Sequence, residues 1–261
     1  MATHRCTKGD YHAGQTRRPG HRGNKGIGLQ IAKDLAANGL TVLVGSRRLE
    51  HAEAAAKSIG GDAHALQLDI TDRASIAAAA ERIRIEFGRL DVLVNNAGIS
   101  HAGKPGRPLE EIINSGRPSV ASLDDVRAVF ETNVFGVVAV TQAMLRLLRE
   151  APAARIVNVS SGAGSLTLNA DPAFPYRTSF GAVYNPSKTA VNAMTLAFAI
   201  ELEETGIKVN AACPGYTATE LNNFEGSRTV EQAAREPVRL ALLDANGPTG
   251  TFSNEDGPLP W

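Results

Sequence analysis

Cysteine is nearly absent from this chain. Only Cys6 and Cys213 occur in 261 residues, with no CxxC pair, which excludes a disulfide framework and a cysteine-based zinc site. No excess of charge exists either. The 27 Lys and Arg balance 27 Asp and Glu, so no global field draws the chain toward nucleic acid or an acidic membrane. No apolar run approaches membrane-spanning length, and the N-terminus lacks the apolar core of a signal peptide. Internal repeats and interdomain linkers are missing as well. The expectation is a reduced, soluble, cytoplasmic, single-domain protein without a metal, whose partner is a small molecule. Hydrophobic residues at 43% and charged residues at 21% suit such a globular chain.

What is present, from residue 26 onward, is alternation. Short β-branched runs occur at 41–45, 64–69, 91–95, 155–160 and 207–213. Between them lie stretches of helical period at 26–38, 49–59, 73–87, 123–150 and 184–204. Runs such as Val92-Leu93-Val94 are apolar throughout, as in strands buried on both faces of a parallel sheet. The pattern predicts an α/β fold, a Rossmann-like doubly wound parallel sheet with ligands at the carboxyl ends of its strands. Two segments break the rhythm: 103–121, read as a long surface loop, and 165–183, which shows neither period. The second lies between two candidate catalytic residues and is read as a lid or binding loop.

Tyr184-Asn-Pro-Ser-Lys188 is the most informative pentapeptide. Opening a helix, it sets Tyr184 and Lys188 on one face, with Pro186 in the first turn where its missing N–H costs nothing. A free phenol, with a pKa near 10, is a poor acid or base at neutral pH. A neighbouring ammonium is expected to lower it, so that Tyr184 protonates a carbonyl oxygen or deprotonates an alcohol. Alone, YxxxK is a weak signal. Upstream, Arg155–Ser161 reads as a buried strand ending in two hydroxyls, followed by Gly162 and Gly164. A serine at a strand's carboxyl end is placed to hydrogen-bond a developing oxyanion. Asn95-Asn96-Ala97-Gly98 ends another strand with small residues that admit a ligand. Asn133, inside a helical pattern, is by itself a residue bonded locally or to water.

The run NNAG, Asn133, VSS, YxxxK and Pro214-Gly215 resembles the short-chain dehydrogenase/reductases in order and spacing, over residues 24 to about 220. That resemblance implies an oxidoreductase. Ser161 then orients the substrate carbonyl, in preference to Ser160, and Tyr184 is the acid/base. Lys188 lowers its pKa and binds the nicotinamide ribose, and Asn133 holds the water of a proton relay. Tyr176 fails as a rival, since the residue four places on is Phe180. The long Ser161-to-Tyr184 spacing is similar to the carbonyl-reductase-like branch, where an insertion adds to the substrate pocket. Phe174, Tyr176 and Phe180 become candidate apolar walls. Pairing through the long helices is common in the family, and monomers occur, so both a homo-oligomer and a monomer stay open.

On the cofactor side, Gly26-Ile27-Gly28 begins a helix whose amides suit a pyrophosphate. After the next strand comes Ser46-Arg47-Arg48, where an acidic residue would suit NAD; an arginine accommodates the 2′-phosphate of NADP. With Lys25, this favours NADP(H), NAD(H) being the alternative. The resemblance places Asp69 and Ile70 at the adenine, Asn95, Ala97 and Gly98 along the ribose, and Pro214, Gly215, Thr217 and Thr219 near the nicotinamide.

The N-terminus departs from the pattern. The family expects an apolar strand ending in Thr-Gly; here His21 and Arg22 fall at those positions, and Gly23 is one place off. Residues 1–22 contain no Val, Ile, Leu or Phe, so they read as an atypical basic segment before a domain spanning 23–261. A frameshift or wrong start accounts for the abrupt resumption at Asn24. On this reading the sheet loses its middle strand and cofactor binding is weak. It motivates the alternative of a catalytically impaired binding or regulatory protein. An extended-branch epimerase or dehydratase is a third reading, with little room after Thr219 for its substrate domain. The ending, with Phe252 and Trp261, is expected to be ordered.

Overall fold

The computed structural model describes residues 6–10, 26–103 and 106–261, the first of these as backbone. Among them eight strands form one sheet in the order β3-β2-β1-β4-β5-β6-β7-β8. These are β1 (Cys6–Asp10), β2 (Thr41–Ser46), β3 (Ala63–Gln67), β4 (Val92–Asn95), β5 (Arg155–Val159), β6 (Lys208–Ala212), β7 (Phe252–Asn254) and β8 (Gly257–Pro258). All pair in parallel except β8, which turns back on β7. The helices are α1 (Gly26–Ala37), α2 (Leu49–Ile59), α3 (Arg73–Phe87), α4 (Leu109–Ser115), α5 (Leu123–Phe130), α6 (Gly136–Arg149), α7 (Leu166–Ala170), α8 (Tyr184–Glu201) and α9 (Val230–Ala241). Strand order reverses between β1 and β4, which leaves a crevice at the carboxyl edge of the sheet there.

The apolar strands divide their side chains by the two-residue period. Leu43, Leu93, Ile156 and Val209 join one core with Val140, Met144 and Phe198. Val42, Val44, Val92, Val94, Val157 and Val159 join a second with Leu29, Ile31 and Leu240. Helices therefore cover both faces, and the chain is a doubly wound α/β domain.

The middle strand is where structure and sequence part. Cys6–Asp10 occupies the position expected to be empty, pairing in parallel with β2 (Lys8 beside Leu43) and with β4 (Lys8 beside Leu93). The ladder is built from N–H and C=O groups that every non-proline residue carries, so two strong neighbours impose extension on a segment of poor propensity. Lys25, the comparison positions His21, Arg22 and Gly23, and most of the basic segment lie outside the described residues.

Three further expectations are corrected. Segment 103–121 is not all loop, because it holds α4, whose first turn carries Glu110 and Glu111 at the positive end of the helix dipole. Segment 165–183 holds α7 and a 3₁₀ turn at Arg177–Ser179; Ser165 caps α7 by accepting from Leu168 N. The expected helix 123–150 is α5 and α6 joined by a π turn, Glu131–Phe135. That run, Leu123–Arg149, is long and apolar enough to cross a membrane by length and composition alone; half of its most apolar 18-residue stretch is buried inside the protein.

Candidate active site

The site begins where β5 ends. Ser160 turns inward, its hydroxyl 3.3 Å from the Lys188 carbonyl and 2.5 Å from Asn192 Oδ1. Ser161 caps a single 3₁₀ turn, Gly162–Gly164, by accepting from Ala163 N at 3.2 Å. That turn lies directly on α8. A Cβ added at Gly164 would stand 2.6 Å from the Lys188 carbonyl carbon, so only glycine permits the approach. Thr189 Oγ1 donates to the Gly164 carbonyl at 2.8 Å, and Asn185 Nδ2 to the Ala163 carbonyl at 3.2 Å.

Helix α8 starts at Tyr184, and its first turn tolerates Pro186. The Ser161 hydroxyl lies close enough to the Tyr184 phenol to favour its ionised form. Lys188 sits one turn on, its Nζ 5.8 Å from the centre of the Tyr184 ring and donating to the Val159 carbonyl at 2.8 Å. Burial pushes the phenol up to about 12, the Ser161 hydroxyl pulling the other way. Burial also pushes the Lys188 ammonium down to about 8. The expectation that Lys188 lowers the phenol is therefore corrected for the protein by itself. Desolvation outweighs it, because a buried phenolate loses its water.

Asn133 occupies the π turn between α5 and α6. Its carboxamide reaches across to the loop after β4, accepting from Ile99 N at 2.8 Å and donating to Ile99 O at 2.9 Å. It also donates to Ser187 Oγ at 3.0 Å, on α8. The local bonding that the sequence suggests for this residue is not what occurs. A Cβ on Gly98 would meet Asn133 Oδ1 at 3.3 Å and Lys188 Nζ at 3.5 Å, so Gly98, Asn133 and Lys188 converge on one notch. Asn133, Ser161, Tyr184 and Lys188, drawn from the π turn, the β5 end and α8, are thus brought together.

Two residues of the site escaped the sequence reading. Cys213, at the end of β6, is buried, accepts from Gly162 N at 3.1 Å, and is pushed up by desolvation despite amide bonds from Gly215 and Gly162. Tyr216 packs its ring 6.2 Å from that of Tyr176. Their only sequence signal was adjacency to Pro214-Gly215.

The other expected residues fall as follows. Gly26, at φ 83°, opens α1, followed by Ile27 and Gly28. Arg47 is exposed just beyond β2. The Asp69 carboxylate accepts from Thr71 N and Oγ1, while Ile70 is buried against Gly136. Asn95 Nδ2 donates to Asn158 Oδ1 at 2.9 Å and to Thr141 Oγ1 at 3.1 Å, while Ala97 is buried beside it in sequence. Thr217 Oγ1 donates to the Pro214 and Gly215 carbonyls, and Thr219 caps a short turn at Glu220–Asn222. Phe174 meets Tyr176 edge-on at 5.7 Å; Phe180 is half-buried and sits at the end of the 3₁₀ turn. Among the described residues no group of His, Cys, Asp or Glu could hold a metal.

The profile of the short chain dehydrogenase family matches residues 23–229. The chain is 32% identical to (-)-isopiperitenone reductase of Mentha piperita, over 90% of this chain and 95% of that one. The solved structure of salutaridine reductase from Papaver somniferum superposes with a TM-score of 0.75 at 28% identity, covering 95% of this chain and 99% of that one. A 3-ketoacyl-(acyl-carrier-protein) reductase from Brucella melitensis, solved as a complex with NADH, gives 0.74 at 26% identity and covers 96% of each chain.

Proposed function

Because the chain belongs to the short-chain dehydrogenase family and so to the oxidoreductases, we propose that it is an NADP(H)-dependent reductase of ketones or aldehydes, oxidising the matching alcohol in reverse. The observation that carries this is the Ser161 turn packed on α8 at Lys188, with the Ser161 hydroxyl beside the Tyr184 phenol and the Lys188 ammonium 5.8 Å from its ring.

The residues present fit a nicotinamide dinucleotide. Gly98 leaves a notch walled by Asn133 and Lys188 that a side chain would fill. The Ser46 hydroxyl is buried at the end of β2 without a partner among the described residues, and Arg47 follows it in sequence. A hydroxyl and a guanidinium on consecutive residues suit a phosphate oxygen, which supports NADP(H) over NAD(H). The bound nicotinamide supplies the hydride in reduction and accepts it in oxidation.

The chain's own residues handle the proton and the oxygen. Tyr184, held protonated by burial, donates its proton to the carbonyl oxygen as negative charge builds there. Ser161 donates to the same oxygen and keeps it over the phenol. The Lys188 ammonium, fixed on Val159 O, favours a phenolate once the proton has left. Asn133, fixed to Ile99 and Ser187, borders the route by which the proton is replaced. Phe174, Tyr176 and Tyr216 offer apolar surface to the substrate, and the names of the two plant relatives support reduction as the direction. A cytoplasmic location and a small-molecule partner are part of the same proposal. Where Cys6–Asp10 completes the sheet, the impaired-protein alternative loses one of its two motives; the other, the missing Thr-Gly turn, lies outside the described residues.

The test is NADPH oxidation with a panel of aldehydes and ketones. Tyr184→Phe is expected to lower kcat about a hundredfold to ten-thousandfold while leaving cofactor binding in place. Equal turnover by Tyr184→Phe and wild type would refute the assignment.

A further inference from the structure

The turn that carries Ser161 is held from two sides, and only one side belongs to the site. From α8 come Thr189 and Asn185, as described. From outside the site come Pro260 and Trp261. Ser165 Oγ is 2.7 Å from the Pro260 carbonyl and 3.2 Å from that of Trp261, and Thr167 N donates to the Trp261 carbonyl at 3.0 Å.

The sheet gives those two carbonyls a short tether. β7 has three residues and β8 two, and past their ladder Leu259 N donates to the Phe252 carbonyl at 2.8 Å. The anchor is apolar. The Trp261 indole stacks on Phe252 with ring centres 5.5 Å apart and planes 17° from parallel. Both join Ala211, Cys213 and Leu259 in a small cluster separate from the two main cores. Cys213 in turn accepts from Gly162 N, the residue after Ser161. The stack and the carbonyls thus grip residues 162–167 at both ends of the turn.

We propose that Trp261 is a positioning residue for Ser161: by stacking on Phe252 it sets the Pro260 and Trp261 carbonyls under Ser165 and Thr167, and so sets the Ser161 hydroxyl against Tyr184. The inference rests on the reading of Ser161 and Tyr184 as the reaction centre. Its consequence is specific. The Ser161 hydroxyl is the group that opposes the upward push on the Tyr184 phenol. Loosening the tail should therefore raise the phenol further and misplace the oxyanion donor, without touching the cofactor notch at Gly98.

The experiment uses the full chain with Trp261→Ala, Trp261→Phe, Ser161→Ala and the Trp261→Ala/Ser161→Ala double variant. The first readout is amide exchange, which needs no turnover. Trp261→Ala is expected to speed exchange at residues 162–167 by about tenfold or more while β5 and α8 stay protected, and Trp261→Phe is expected to restore protection. The second is kinetics with NADPH and a carbonyl substrate. Trp261→Ala is expected to lower kcat about tenfold to a hundredfold with NADPH affinity within about twofold of wild type, since a small misplacement suffices. The rising limb of the pH profile for alcohol oxidation, where the phenol ionises, moves to higher pH. In the Ser161→Ala background, Trp261→Ala adds nothing further, because one group carries both effects.

Unchanged exchange, or losses that multiply in the double variant, overturn the inference. Full activity of Ser161→Ala overturns instead the reading on which it rests, while the exchange result stands by itself for the grip on the turn.

Discussion

Lys188 Nζ donates to the carbonyl of Val159 at 2.8 Å, tying the first turns of α8 to the last residue of β5. The ammonium is thereby held by a backbone bond, one helical turn from the Tyr184 phenol. Burial sets its charge at a cost, and that cost depends on pH. An unfolded lysine titrates near 10.5, whereas Lys188 in the fold titrates near 8. Between those values the unfolded chain holds more protons, so stability rises with pH from about 8 to about 10.5, and below 8 the cost stands at full size. Its upper bound is about 3 kcal/mol. The raised Tyr184 phenol acts in the opposite sense, but only above 10, where an unfolded phenol ionises.

Urea unfolding of wild type and Lys188→Met at pH 7 and pH 10 isolates this contribution. Wild type is expected to gain relative to the variant at the higher pH, by up to about 3 kcal/mol. A gain at the lower pH, or none at all, contradicts the burial of Lys188.

Gly164→Ala tests the contact between the Ser161 turn and α8. Its Cβ would lie 2.6 Å from the Lys188 carbonyl carbon and 2.8 Å from Thr189 N, both backbone and unable to yield cheaply. Overpacking of this kind costs about 1–3 kcal/mol. Thermal melts should show the loss, together with a lower kcat as the turn is pushed off α8. A variant as stable and as active as wild type would mean the turn does not rest there.

Arg47→Asp tests cofactor choice. Removing the guanidinium and adding a carboxylate is expected to weaken NADPH binding by about tenfold to a hundredfold and to favour NADH, since an acidic group there suits ribose hydroxyls. Fluorescence titration with both cofactors reads the result. An unaltered NADPH/NADH ratio rules out Arg47 as the discriminating residue.

Lys8→Pro tests the middle strand. Residue 8 faces Leu43 on one side and Leu93 on the other, so proline removes a ladder N–H from a strand with no free edge. The expected cost is about 3 kcal/mol or more, and cofactor affinity falls with it. A melting temperature equal to that of wild type would show that residues 6–10 are not the strand that completes the sheet.

Much of this protein was legible in its residues, because the relevant physics is local. Short β-branched runs, apolar throughout where both faces are buried, marked β2, β4, β5 and β6, and four-residue spacing placed Tyr184 and Lys188 on one face of α8. Two serines closing an apolar strand marked its ligand end, and Ser161 rather than Ser160 is the one that meets Tyr184. What stayed hidden depends on contacts between distant segments. The middle strand is made by its neighbours, since backbone pairing with β2 and β4 needs no apolar side chain. The π turn that aims Asn133 at Ile99 leaves no mark in a helical pattern that runs on through it. Cys213 and Tyr216 join the site only because β6 lies beside β5, and Trp261 reaches the Ser161 turn only because β7 and β8 fold the tail back. The sign of the Tyr184 shift belongs here as well: spacing along α8 suggested a lowered phenol, but the depth at which the tertiary structure buries it decides that the phenol is raised.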